Sequence, residues 1–306
     1  MPGDVFYWLF NMSITAAICG VPVLILHAFK RLPRRVLILL WLIPFIRMCI
    51  PIGISGKYGL MTLLSKITTK TVTVYKPTLS DTILSTMNHV QAAESYYPIT
   101  YKVNIVGALF HWAAIIWLTV AAALIIAFLI IYFSTLRELG GARQLRDNIF
   151  VSDKVKTPAV YGILRPRIIL PQEYDEKILH YILLHERAHI HRGDNFWRVL
   201  ALLITCVHWF NPLCWLFLKK LCADMELACD ETVLKSCDET QKKQYAHVLV
   251  SSVEKTNVFA SSLGGASVRL RIENILCYKR LTVMSAIGAL ALIVALAYIL
   301  LTNAAV

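Results

Sequence analysis

Residues 5–29 form a run of 25 positions with no Asp, Glu, Lys or Arg. Hydrocarbon offers backbone amides no water, so a spanning segment must satisfy them internally, and a run this long reads as a membrane-crossing helix. Lys30, Arg31, Arg34 and Arg35 follow at once, the mark of a turn on the cytoplasmic side. No cationic leader or small-residue cleavage site accompanies the run, so it is not expected to be a cleaved signal peptide.

The pattern recurs. Residues 36–54 are apolar and carry Pro44, Arg47 and Pro51. Residues 110–132 are apolar, with Trp112 and Trp117 as interface anchors, and Arg137, Arg143 and Arg146 come after them. Residues 281–301 are apolar and follow Lys279 and Arg280. Turning every cationic flank to one compartment leaves both termini outside. The expected fold is a mainly α membrane protein with four transmembrane helices. Residues 1–134 make a membrane region with three of them (about 5–29, 36–54 and 110–132) and an outer loop at 55–103; residues 135–280 form a cytoplasmic domain; residues 281–306 hold the fourth helix and a short outer tail. Hydrophobic residues are 57% of the chain and charged ones 16%, which argues against a soluble protein. The net charge of +12 then belongs to flanks facing anionic lipid, with no direct nucleic-acid partner. The eight cysteines include no C-x-x-C pair and read as reduced, mostly buried thiols.

The chemistry centres on His185-Glu186-Arg187-Ala188-His189, an H-E-x-x-H pattern. On a helix the two histidines lie on one face a turn apart, where they can bind one Zn²⁺, with Glu186 placed as base toward a water. The pentapeptide alone fits two unconnected helical histidines equally well. A catalytic zinc wants a third protein ligand and an open position. Glu226 and Asp230 are i and i+4 on a later helix of about 213–235; Glu226 is assigned as that ligand and Asp230 as the acceptor for a ligand histidine's outer N–H. The motif helix, 173–192, must then stop at Gly193 and the chain fold back, since a continuous helix would hold His189 far from Glu226. Residues 196–218 must likewise form a helical hairpin broken at Asn211-Pro212, because one crossing there would separate the ligands. His191 should point away, Cys229 should be a buried thiol off the Glu226 face, and His180, His208 and His247 are read as surface or interface residues. Residues 157–171 read as two short strands joined by a turn, with their prolines suited to a sheet edge.

Together these elements resemble the BlaR/MecR group of integral-membrane zinc metallopeptidases. The likeness rests on the Pro158–Pro171 segment, His185-Glu186-Arg187-x-His189-x-x-Arg192-x-Asp194, Trp209-Phe210-Asn211-Pro212-x-x-Trp215, Glu226-x-x-Cys229-Asp230 and the four-span layout. It implies a gluzincin-like α+β protease domain on the cytoplasmic side of a bacterial membrane. It also implies His185, His189 and Glu226 as zinc ligands, Glu186 as the catalytic base, and signalling by self-cleavage or loss of a cytoplasmic repressor. Only residues 302–306 follow the last apolar run, too few for the penicillin-binding sensor of that group, so the expectation is a sensorless or shortened member served by a separate sensor or a homo-oligomer. Ile168, Ile169 and Leu170 are expected to add the protein substrate as a partner strand. Gly265, Ala266, Ser267 and Val268 lie in a small-residue segment suited to self-cleavage, with a passive linker as the simpler reading. A prenyl-protein-type membrane protease and a non-catalytic, zinc-stabilised signalling module are the alternatives.

Overall fold

The computed structural model describes residues 2–28, 32–50, 55–56, 58–60, 62–63, 105–155, 157–172, 176–253, 268–278 and 282–304. The chain is mainly helical: α1 (Pro2–Ala28), α2 (Arg34–Cys49), α3 (Ile105–Glu138), α4 (Glu176–Arg192), α5 (Asp194–Val207), α6 (Pro212–Ser236), α7 (Glu239–Val253), α8 (Val268–Cys277) and α9 (Val283–Leu301). Strands β1 (Ser55–Gly56) and β6 (Asn303–Ala304) pair in parallel. A four-stranded sheet comprises β2 (Arg143–Arg146), β3 (Ile149–Ser152), β4 (Ala159–Tyr161) and β5 (Arg167–Pro171).

Among the described residues, three helices are long and apolar enough to cross a membrane: Gly3–Ala28, Leu109–Gly141 and Met284–Leu301. The expected second span falls short. Helix α2 stops at Cys49, and its 16 residues extend about 24 Å against a hydrocarbon core of about 30 Å. The cause is local: Ile50 precedes Pro51 and takes the extended conformation (φ −109°, ψ 110°) that a following proline imposes. Most of the expected outer loop, and residues 265–267 of the expected cleavage segment, lie outside the described residues; Val268 opens α8.

Helix α2 is nonetheless the centre of the core. Leu37, Leu40 and Trp41 are fully buried among α1, α6 and α9. Helices α1 and α6 touch where Gly20 leaves room for Phe217; a Cβ on Gly20 would lie 2.0 Å from Phe217 Cζ. At the far end of α2, buried Arg47 donates from Nε to the Leu300 carbonyl (3.0 Å) and from Nη2 to the Thr302 carbonyl (2.9 Å), capping orphan acceptors at the end of α9. At the near end, the fully buried Asp224 of α6 accepts from Trp41 Nε1 (2.8 Å), His27 Nδ1 (3.0 Å) and Arg34 Nη1 (3.3 Å). Glu231, two turns further along α6, accepts from the Arg34 backbone N–H (3.1 Å). One face of α6 is thus fastened to α1 and α2.

Helices α5 and α6 form the expected hairpin. Its turn is tied to α1 and α2: Asn211 Nδ2 donates to Ser13, and His208 Nε2 lies 3.2 Å from the Met48 carbonyl. Asn211 also caps α6, its side chain accepting from Leu213 N–H. Trp117, read as an interface anchor, instead donates Nε1–H to the Val207 carbonyl at the hairpin tip (2.7 Å).

The sheet order is β2-β3-β5-β4, with β3 and β5 parallel and the other pairs antiparallel. The β4–β5 hairpin is present, turning at Gly162 (φ 91°). Alternation along β5 sends Ile168 and Leu170 against Leu179, Ile182, Leu183 and Ile190 of α4, and Ile169 to the opposite face with Leu139 and Val155. Its place in the sheet corrects one expectation: β5 pairs with β3 on one side and β4 on the other, so Ile168, Ile169 and Leu170 have no free edge to offer a substrate. The outer strands are β2 and β4.

Candidate metal centre

Helix α4 brings His185 and His189 to one buried face, and Gly193 ends it in the left-handed conformation (φ 65°, ψ 30°) that its missing side chain tolerates. The chain reverses there, descends α5 and returns along α6 to the histidines. Glu226 Oε2 lies 3.4 Å from His185 Nε2, Glu226 Oε1 lies 3.6 Å from His189 Nε2, and the two Nε2 atoms are 3.2 Å apart. Tetrahedral zinc with legs of about 2.05 Å requires ligand atoms about 3.3 Å from one another. The three separations are close to three edges of that tetrahedron, and they leave the fourth corner for water. The donor set fits the ion.

The outer nitrogens are engaged as a metal site needs. His189 Nδ1 is 2.7 Å from Asp194 Oδ2, and His185 Nδ1 is 3.2 Å from Asp230 Oδ1. Carboxylates behind both rings turn the Nε2 lone pairs toward the shared centre. Asp194, the first residue of α5, serves His189. Its neighbour Asn195 donates Nδ2–H to the Val160 and Gly162 carbonyls (3.1 Å each), holding β4 and its turn against the α4–α5 break. Glu186 is buried on α4. On β4, burial first and the nearby Glu186 carboxylate second raise the Tyr161 phenol.

Three carboxylates of the site each have a guanidinium. Arg198 Nη2 donates to Glu226 Oε1 (2.5 Å), Arg192 Nε faces Asp194 Oδ1 (3.4 Å), and Arg271 forks onto Asp230 through Nε (2.8 Å) and Nη2 (2.7 Å). Tyr245 donates its hydroxyl proton to Asp230 Oδ1 (2.6 Å) and stands 3.0 Å from His185 Nδ1, placed to accept from it. Arg198, Tyr245 and Arg271 carry no motif spacing, and the sequence reading missed them.

Burial works against a charged His185, but Asp230 and Glu226 outweigh it and push the imidazole up to about 9. His189 moves the same way: burial opposes the charge, and Asp194 and Glu226 prevail. Burial would raise Glu226, yet His185, His189 and Arg198 hold its carboxyl well below the usual range.

His191 is exposed, as expected. Cys229 is a buried thiol, as expected, but not a remote one. Its Sγ reaches the back of the site, 3.2 Å from His189 Nδ1 and 3.3 Å from Asp194 Oδ2. It sits three residues past Glu226, only about 60° round the helix. His189, Asp194 and Cys229 also have metal-ligand atoms within 4.8 Å of one another. Burial first, then Asp194, raises the Cys229 thiol far above its usual range, so it donates to Asp194 as a neutral S–H and supports His189 from behind.

Several long apolar helices, an H-E-x-x-H helix and a glutamate returning from a hairpin give a membrane-type chain with a candidate His-His-Glu metal site. The chain belongs to the peptidase M56 family: the model described as BlaR1 peptidase M56 matches residues 7–275. The regulatory protein BlaR1 of Bacillus licheniformis is 35% identical over 102 residues, which is 32% of this chain and 17% of that protein. The methicillin resistance mecR1 protein of Staphylococcus aureus strain Mu50 is 28% identical over 141 residues, 42% of this chain and 24% of the relative. The regulatory protein BlaR1 of Staphylococcus aureus is 25% identical over 126 residues, covering 39% and 22%. The matched stretches thus span less than a quarter of each relative's length.

Proposed function

We propose that this protein is a multi-pass zinc metalloendopeptidase of a bacterial cytoplasmic membrane, with its site on the cytoplasmic side. In this reading it works in signal transduction by cutting itself, by triggering loss of a transcriptional repressor, or both. The observation that carries the reading is the near-tetrahedral spacing of His185 Nε2, His189 Nε2 and a Glu226 carboxylate oxygen, with a carboxylate behind each ring. Four helices cross in this reading. Although α2 is short, it runs beside α9 from Asp224 at one end to Thr302 at the other. The protease domain is residues 135–280, with both termini outside.

His185, His189 and Glu226 would hold the zinc, which when bound supplies a Lewis acid and lowers the pKa of its water toward about 7. Glu186 takes the proton of the attacking water and delivers it to the leaving amine. Asp230 and Asp194 keep the two imidazoles in the tautomer that presents Nε2 inward. Arg198 steadies Glu226 and offsets its charge.

Glu186→Gln in the full chain tests this role. The variant should retain zinc and lose peptide-bond hydrolysis; full cleavage by it would refute Glu186 as the base. Self-cleavage within 265–268 is read by N-terminal sequencing of fragments from the active chain, and fragments that persist in the Glu186 variant would exclude it.

A further inference from the structure

Helix α8 precedes α9 and could serve merely as the connector to that helix. It is docked on the protease body. Ile275 is buried with Val233, Leu234, Tyr245 and Leu249, and Asn274 Nδ2 reaches the Leu227 carbonyl (3.5 Å). This docking delivers Arg271 to the back of His185. The guanidinium binds both oxygens of Asp230, 41 residues away in sequence, and Nη2 also lies 3.4 Å from each nitrogen of the His185 ring. Asp230 is fully buried, and it faces His185 Nδ1, Tyr245 and Arg271 at once.

Tyr245 and His185 both engage Asp230 through Oδ1, so without Arg271 its Oδ2 would lack the contact that fixes the plane of the carboxylate. A two-point fork fixes that plane, which a point charge cannot do. We infer that Arg271 is a positioning residue for the metal centre: it locks Asp230, and through Asp230 the ring of His185, so that α8 completes the site from outside the H-E-x-x-H and Glu226 helices. The inference rests on the zinc reading given above.

The experiment measures zinc affinity of the purified full chain in detergent by competition with a chromophoric chelator, with zinc alone as the probe. Arg271→Gln should weaken zinc binding about 10- to 100-fold, the usual effect of losing a partner behind a ligand. Arg269→Gln, on the same helix but in an exposed pair with Glu273, should leave affinity within about twofold. Combined with Asp230→Asn, Arg271→Gln should add nothing to the loss from Asp230→Asn alone, because the arginine acts through that carboxylate. Should R271Q fail to fold, R271K keeps the charge and loses the fork; a severalfold weaker affinity supports the role, and an unchanged one overturns it. A parent that binds zinc tightly with an equally tight R271Q, or with fully additive losses, overturns the positioning role alone. A parent that takes up no zinc overturns the metal reading and this inference with it.

Discussion

Asp224 is the sharpest place to perturb the join between the helical core and the candidate metal site. It is fully buried and accepts from three donors on two helices: Trp41, His27 and Arg34. Asp224→Ala leaves the buried Arg34 guanidinium and the Trp41 N–H without this acceptor. Breaking a buried ion pair from one side costs about 3–5 kcal/mol. Asp224→Asn keeps one oxygen for Trp41 but turns an amide N–H₂ toward a donor, and should cost about 1–3 kcal/mol. The assay is unfolding in mixed micelles with increasing denaturing detergent, followed by tryptophan fluorescence. The double variant Arg34→Ala/Asp224→Ala should lose less than the sum of its parts, since the two charges are partners. A midpoint for Asp224→Ala within about 1 kcal/mol of the parent, or strict additivity with Arg34→Ala, would refute the account of this junction.

Two further outcomes follow from packing and titration. Gly20→Ala should destabilise by about 1–3 kcal/mol, because its Cβ would meet the Phe217 ring; Phe217→Ala in the same chain should recover part of that loss, which the same unfolding assay reads. In metal-free protein His185 stands at about 9 against an ordinary 6.5, so the fold favours its protonated form. That contribution is complete below pH 6.5 and is lost as pH climbs through about 9. Stability without metal should therefore fall across this interval while zinc affinity rises, because proton and metal compete for the same side chain. Unfolding midpoints in chelator, and metal titrations at matched pH, check both slopes.

The site was legible in the sequence where chemistry follows helical spacing. The four-residue step from His185 to His189, the stop at Gly193 and the step from Glu226 to Asp230 are local, and each is visible without knowing the fold. Arg271 and Tyr245 reach the same carboxylate from 41 and 15 residues away, and no period announces such a meeting. Cys229 was misplaced by treating a neighbouring face as a separate one, although 60° of arc still lets a thiol reach the ring behind it. The β-branched run in β5 signalled a strand correctly, but edge or interior depends on partners, and β3 is a strand the sequence reading did not anticipate. The extent of α2 turned on one proline, whose effect on the preceding residue outweighed a run of apolar side chains.

Helix α6 presents Asp224 and Glu231 to one side and Glu226 and Asp230 to the other. It is a stiff rod, so the two sides cannot move independently. A roll of about 10° carries a group about 6 Å from the axis through about 1 Å, whereas metal coordination tolerates about 0.2 Å. The aim of the Glu226 carboxylate, the proposed third ligand, is therefore set by how α1 and α2 lie against one another as well as by the histidine helix. On the zinc reading, a slight reorientation of that pair is enough to spoil coordination while every helix stays folded.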